Sequence, residues 1–122
     1  MRYLLDSVVL IDHFNGIPEA TTFLADHREE AAVSVISRAE VLVGFDGESR
    51  TLARGLLDRF PTLPIERPLA DLAAELRQQH RWRLPDAFQA ALALYHGLRL
   101  VTRNTKHFRP EEHQFVLVPY EI

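Results

Sequence analysis

Cysteine is absent from this 122-residue chain, which excludes disulfides and thiolate metal sites and leaves nothing to argue for export. No uncharged stretch approaches the roughly 20 residues needed to cross a bilayer. Asp6 and Asp12 interrupt the apolar run after Arg2, where a signal peptide needs it unbroken. A strong net charge is lacking too. The formal value of −3 does not suggest nucleic-acid binding by bulk electrostatics and leaves that role to local patches. Lysine is almost missing: Lys106 is the one lysine among 14 basic residues, and the arginines that replace it suit contacts to phosphate. There is no internal repeat and no low-complexity segment. The chain reads as a soluble, cytoplasmic protein forming one domain over residues 1–122, with no membrane partner.

The stretch from Leu84 to Gly97 organises what is present. Pro85 and Asp86 stand where a helix begins, and Gly97 stands where a left-handed cap is needed. Between them the sequence is apolar on almost every side, so this helix is expected inside the protein, packed on a sheet. Asp86 is the exception in that run. A carboxylate at the mouth of a buried helix is either a cap at an edge of the fold or a ligand for something positive.

Along the chain, Tyr3 to Leu5 reads as a strand ending at Asp6, followed by a helix closed at Asn15-Gly16, and Pro18 opens a short helix to about His27. Ala31 to Ile36 reads as a second buried strand. Ser37-Arg38-Ala39-Glu40 after it has the pattern of a capping box, opening a helix that runs to about Gly44-Phe45. Another helix follows Gly47. The segment from Pro61 to Ile65 is strand-like, but Pro64 cannot donate to a ladder, so it belongs at an edge. Pro68 opens a helix with Leu69, Leu72, Ala73 and Leu76 on one face. Leu98 to Val101 and Phe115 to Val118 are the last strands, separated by a polar loop or short helical turn from Thr102 to Phe108. Strands alternating with helices predict an α/β fold with a mostly parallel sheet covered on both faces.

In such a sheet the carboxyl ends of the strands share one edge, and ligands bind there. That brings Asp6, Glu40, Asp86 and Asn104 together although they are far apart in sequence. Each also fits a plain helix cap, an arrangement that contributes about 0.3–2 kcal/mol. Three carboxylates near one edge repel one another, however, and need a cation to be tolerated. All-oxygen ligands suit Mg²⁺ or Mn²⁺, ions that polarise a phosphoryl oxygen and generate hydroxide for in-line attack on a phosphodiester.

Four motifs in order carry a family resemblance: Leu4-Leu5-Asp6-Ser7 with Leu10-Ile11-Asp12; Ser34-Val35-Ile36-Ser37 with Glu40; Leu84-Pro85-Asp86-Ala87 with Ala90-Ala91; and Val101-Thr102-Arg103-Asn104 with His107-Phe108. Together they resemble a PIN-domain ribonuclease of the VapC toxin type, over the whole chain. The resemblance implies a three-layer α/β/α fold with a five-stranded parallel sheet ordered 3-2-1-4-5. It also implies a metal-dependent endoribonuclease acting on RNA such as tRNA or ribosomal RNA, a small VapB-type antitoxin that blocks the site, and a homodimer. Its acidic ligands fall on Asp6, Glu40 and Asp86, with Asn104 at the fourth position and the hydroxyls of Ser7 and Thr102 in support. Two departures stand out. Val8 occupies a position that is often small and polar, and Asn104 is neutral where the family often has aspartate, so a second metal is expected to bind weakly or only with RNA.

Arg103 and Lys106, and likewise Arg81 and Arg83, are candidates to guide the RNA backbone, since phosphate neutralisation dominates nucleic-acid affinity. A solvated loop is the alternative for them. Asp12 reads as a solvated or arginine-paired carboxylate, and His13, His27, His80, His96 and His113 show no metal-ligand spacing. Trp82 packs on the sheet or meets a partner. Two rival functions remain: a PIN-like binding module without activity, which Val8 and Asn104 favour, and a receiver-type phospho-acceptor domain. The latter lacks its acceptor, because Ile65 is followed by Glu66-Arg67-Pro68 rather than by aspartate.

Overall fold

A computed structural model describes residues 1–122. Its strands are β1 (Tyr3–Leu5), β2 (Ala31–Ser34), β3 (Thr62–Leu63), β4 (Arg99–Val101) and β5 (Val116–Leu117), and its helices are α1 (Ser7–Phe14), α2 (Pro18–His27), α3 (Val35–Leu42), α4 (Gly47–Leu57), α5 (Arg67–His80) and α6 (Leu84–His96). The sheet is parallel throughout and ordered β3-β2-β1-β4-β5, as the resemblance implied. A receiver-type sheet runs 2-1-3-4-5, so this order excludes that rival. No helix is long and apolar enough to cross a membrane.

Alternation along β1 divides the interior in two. Leu4 points into a core with Leu100, Leu76, Leu92 and Phe108, under α5 and α6. Tyr3 and Leu5 point the other way, joining Val33, Val101, Val9, Val41 and Leu57 under α1 to α4. Successive strand residues face opposite sides, and a parallel strand with helices on both faces has no wet side to leave polar. The three-layer arrangement follows directly.

Several boundaries differ from the sequence reading, each for a local reason. The second strand stops at Ser34, and Val35-Ile36, although β-branched, form the first turn of α3. The cap is Ser34, whose Oγ accepts the Ser37 amide at 2.9 Å, so Ser37 opens no helix and Glu40 takes no part in a capping box. Helix α3 ends at Leu42, short of the expected Gly44-Phe45. Strand β3 is only two residues long, at the sheet edge that Pro64 demanded. Leu84 precedes Pro85 in α6, and Gly97 closes that helix at φ 66°, as its position required. The helix is not covered all round: Asp86 to Ala87 and Gln89 to Ala93 are buried, whereas Leu84, Leu94 and Tyr95 are exposed. Trp82 belongs to the core and donates from Nε1 to the His107 carbonyl at 2.8 Å, stacked on His80.

Candidate active site

Strand register builds the site. Leu5 pairs with Val33 on one side and Val101 on the other, so the next residues of the three strands, Asp6, Ser34 and Thr102, form a row at the carboxyl edge of the sheet. All three are buried. Asp6 ends β1 and caps α1, accepting the Ser7 amide on Oδ1 at 2.9 Å. The Thr102 hydroxyl donates to Asp6 Oδ2 at 2.7 Å and accepts the Asn104 amide at 2.9 Å, which folds the loop after β4 back toward Asp6.

Glu40 lies on α3, one turn beyond the buried Ser37. Asp86 sits in the first turn of α6, where the dipole favours an anion, yet it accepts no backbone hydrogen bond. With Ser7, Val8 and Asn104, these acids and Asp6 line one cleft of about 310 Å³, walled by Arg83 and Arg103. A larger hollow of about 580 Å³ beside Trp82 and Phe115 is mostly apolar and gathers no group of acids. The chemistry therefore points to the smaller cleft. Arg81 and Lys106 are exposed and stand outside the cleft lining.

The cleft is electrostatically frustrated. Burial pushes the Glu40 carboxyl above its ordinary range, the Ser7 hydroxyl opposes this, and the charges of Asp6 and Asp86 reinforce it. Burial likewise raises Asp86, again with the charge of Asp6, while His107 and Arg83 pull it down. Arg83 is the only cation paired with Asp86, its Nε 4.0 Å from Oδ2 and its side chain largely in solvent. Asp86 Oδ2 is shielded from water and has no hydrogen-bond partner. A buried, unpartnered carboxylate oxygen in a cleft shared with two other acids is a donor suited to a hard divalent cation. No three acidic or imidazole groups stand at chelating distance from one another. The all-oxygen donor set fits Mg²⁺ or Mn²⁺ in its chemistry.

Arg103 is less free than the sequence implied. Its Nε and Nη2 are both bound to Asp12, at 2.6 and 2.8 Å, which identifies Asp12 as an arginine-paired carboxylate.

Sequence reasoning missed Gln89 and Ser34. Gln89 donates to Asp6 Oδ1 at 3.2 Å and to Ser37 Oγ at 2.8 Å, and accepts from the Ser34 hydroxyl at 2.6 Å. The available signal was a lone polar residue in an apolar helix, three positions after Asp86 and therefore on its face.

Comparison with known proteins bears on this geometry. The family description "PIN domain" matches residues 3–112. The chain is 36% identical over 112 residues to Ribonuclease VapC10 of Mycobacterium tuberculosis, covering 86% of this chain and 84% of that protein. Among solved structures, a toxin–antitoxin complex from Klebsiella pneumoniae superposes with a TM-score of 0.90 at 37% identity, covering 98% of this chain and 99% of the other. FitAcB from Neisseria gonorrhoeae superposes at 0.81 with 23% identity, over 98% of this chain and 99% of its own, and shows the shared fold alone.

Proposed function

The chain belongs to the PIN domain family, and from that premise we propose that it is a VapC-type toxin, an endoribonuclease dependent on Mg²⁺ or Mn²⁺. The whole chain, 1–122, acts as one domain. The observation that carries this reading is the meeting of Asp6, Glu40 and Asp86 in one cleft, with Asp86 Oδ2 buried and unpartnered.

Asp6, Glu40 and Asp86 would hold the metal, with the Asn104 amide beside them as a neutral fourth donor. Bound there, the ion would supply Lewis acidity to the phosphoryl oxygen and make a bound water more acidic. The chain's own groups do the rest. Ser7 N–H and Gln89 on Oδ1 and Thr102 on Oδ2 fix the Asp6 carboxylate, leaving one lone pair of Oδ2 for the cleft. The Ser7 hydroxyl opposes the rise of the Glu40 carboxyl that burial causes. Arg83 and Arg103 flank the acids and are the cations placed to meet RNA phosphate at the cleft, while Arg81 and Lys106, outside it, are placed to guide the backbone.

The substrate is RNA, with tRNA or ribosomal RNA as the expected class. A cognate VapB-type antitoxin and a homodimer complete the proposed assembly, in the cytoplasm. The toxin–antitoxin complex from Klebsiella pneumoniae and the identity to a VapC ribonuclease support this part of the reading. Incubation of the free protein with total RNA and Mn²⁺, beside Asp6→Ala and Asp86→Ala, tests it. Metal-dependent cutting that both substitutions abolish is expected. Cutting that persists in both, or that survives chelation, overturns it.

A further inference from the structure

We propose that Gln89 is a positioning residue that sets the spacing of the three acids, by tying together beneath the cleft the elements that carry them. This rests on the reading of the cleft as a divalent-metal site.

Asp6, Glu40 and Asp86 come from three separate elements, and Gln89 touches or shares each of them. It lies on α6 one turn after Asp86, on the same face. Its Nε2 donates to Asp6 Oδ1 at 3.2 Å, at the junction of β1 and α1. The same nitrogen donates to Ser37 Oγ at 2.8 Å, on α3 one turn before Glu40. Its Oε1 accepts from the hydroxyl of Ser34, the residue that caps α3, at 2.6 Å. Ser37 Oγ passes the chain on to the Leu5 carbonyl at 3.2 Å. Both amide protons and a lone pair of Gln89 are therefore committed.

The orientation of this amide is fixed by chemistry. An ionised carboxylate only accepts hydrogen bonds, so the nitrogen faces Asp6 and the oxygen takes the Ser34 proton. Only 1% of Gln89 is exposed, and it does not line the cleft. It cannot touch RNA. A buried primary amide is tolerated only where its donors and acceptor are paired, and the groups that pair with Gln89 are Asp6 itself, Ser37 on α3 and Ser34, the cap of α3. Without it, mutual repulsion among Asp6, Glu40 and Asp86 is free to spread them apart. Partners that orient a ligating carboxylate typically matter by about 10–100-fold in metal affinity.

The test is calorimetric titration of the full chain with Mn²⁺, comparing wild type with Gln89→Leu and Gln89→Met, and with Leu57→Ala as a control. Leu57 is as deeply buried as Gln89 but lies on α4, which carries neither an acid of the cleft nor a hydrogen-bond partner of Gln89, so its truncation lowers Tm by a route separate from the network. Both Gln89 variants are expected to bind Mn²⁺ at least 10-fold more weakly, and to lose kcat with the KM for RNA unchanged, while Leu57→Ala keeps wild-type affinity. Affinity retained within threefold in the Gln89 variants overturns the inference and leaves the metal site standing. An equal loss in Leu57→Ala also overturns it, since Gln89 then acts only through stability. If wild type binds no Mn²⁺, with or without RNA, the metal reading falls and this inference with it. Should both Gln89 variants fail to fold, Ser34→Ala removes the amide's anchor from the α3 side and is expected to weaken Mn²⁺ binding. Unchanged affinity there overturns the inference too.

Discussion

Arg103 grips Asp12 through two parallel hydrogen bonds, Nε to Oδ2 at 2.6 Å and Nη2 to Oδ1 at 2.8 Å, and Tyr120 adds its hydroxyl to Oδ2 at 2.8 Å. The pair joins α1 to the loop after β4, and Tyr120 draws in the C-terminal segment. Bidentate pairing fixes the plane of a guanidinium as well as its position. Arg103 is thereby held at the cleft wall before any phosphate arrives.

Asp12→Asn is expected to lower unfolding free energy by about 2–4 kcal/mol, less than for a wholly buried pair because 26% of the Arg103 side chain is exposed. The Arg103 hydrogen bonds, aided by Tyr120, hold the Asp12 carboxyl below its ordinary range against the opposing effect of burial. A depressed acid contributes stability above its unfolded value, about 3.9, and loses it as pH falls through the lower folded value. Urea unfolding of both proteins at pH 7 and in strong acid checks this: the gap should close on the acid side. A gap that stays constant would remove the ion pair as its cause.

Asp86→Asn is expected to stabilise the metal-free protein at pH 7 by about 0.5–2 kcal/mol while abolishing cleavage, because the native site stores repulsion. The folded-state value of Asp86 is raised, by burial first and then by the charge of Asp6. The folded chain therefore binds more protons than the unfolded one in this range, and wild-type stability falls as pH rises from the unfolded value through the folded one. Thermal unfolding between pH 4 and 8 should show the advantage of the variant growing with pH. A variant less stable than wild type at pH 7 would contradict the account.

Divalent ions should reverse that ranking. An ion at 100 times its Kd adds about 2.7 kcal/mol to whatever state binds it. Mn²⁺ is expected to raise the Tm of wild type and leave that of Asp86→Asn unmoved. Equal shifts in both proteins would mean that the ion binds elsewhere.

On the proposed metal reading, neutral Asn104 predicts one well-held metal in the absence of RNA and a second that is weak. Asn104→Asp should strengthen the second site in calorimetry with Mn²⁺, since it adds a negative charge to the same cleft. Two equally tight sites in the unaltered protein would defeat this.

Lys106 and Arg103 separate two kinds of cation. Lys106 is exposed and, on the proposed reading, meets phosphate only, so Lys106→Ala should weaken RNA binding evenly across sequences and lower the salt slope by about 1. The same change at Arg103 should lower both that slope and the stability of the fold, because its partner Asp12 is then left buried without its counter-charge. A Lys106 variant with an unaltered slope would take that residue off the RNA path.

Much of this arrangement can be read along the chain, because local chemistry announces it. Asp6 after an apolar triplet, Pro64 within a strand and Gly97 after an apolar helix each have a short-range cause, and the sheet order followed from the family resemblance. What escapes depends on contacts between distant positions. Val35-Ile36 have strand propensity, yet Ser34 turns them into helix by capping three residues on. Gln89 meets partners 55 and 83 positions away, so nothing beside it in sequence reveals what it holds. Arg103 looked free because Asp12, its counter-charge, is 91 positions off.

The first strand has a further consequence for quality control. Sliding Tyr3–Leu5 by a single step would exchange the two halves of the interior, and the same slip would carry Asp6 out of line with Ser34 and Thr102. Correct packing and correct alignment of the acids are thus one event. A mispaired chain would be inert, not indiscriminate, which is a useful safeguard in a molecule whose proposed activity is harmful to the cell that makes it.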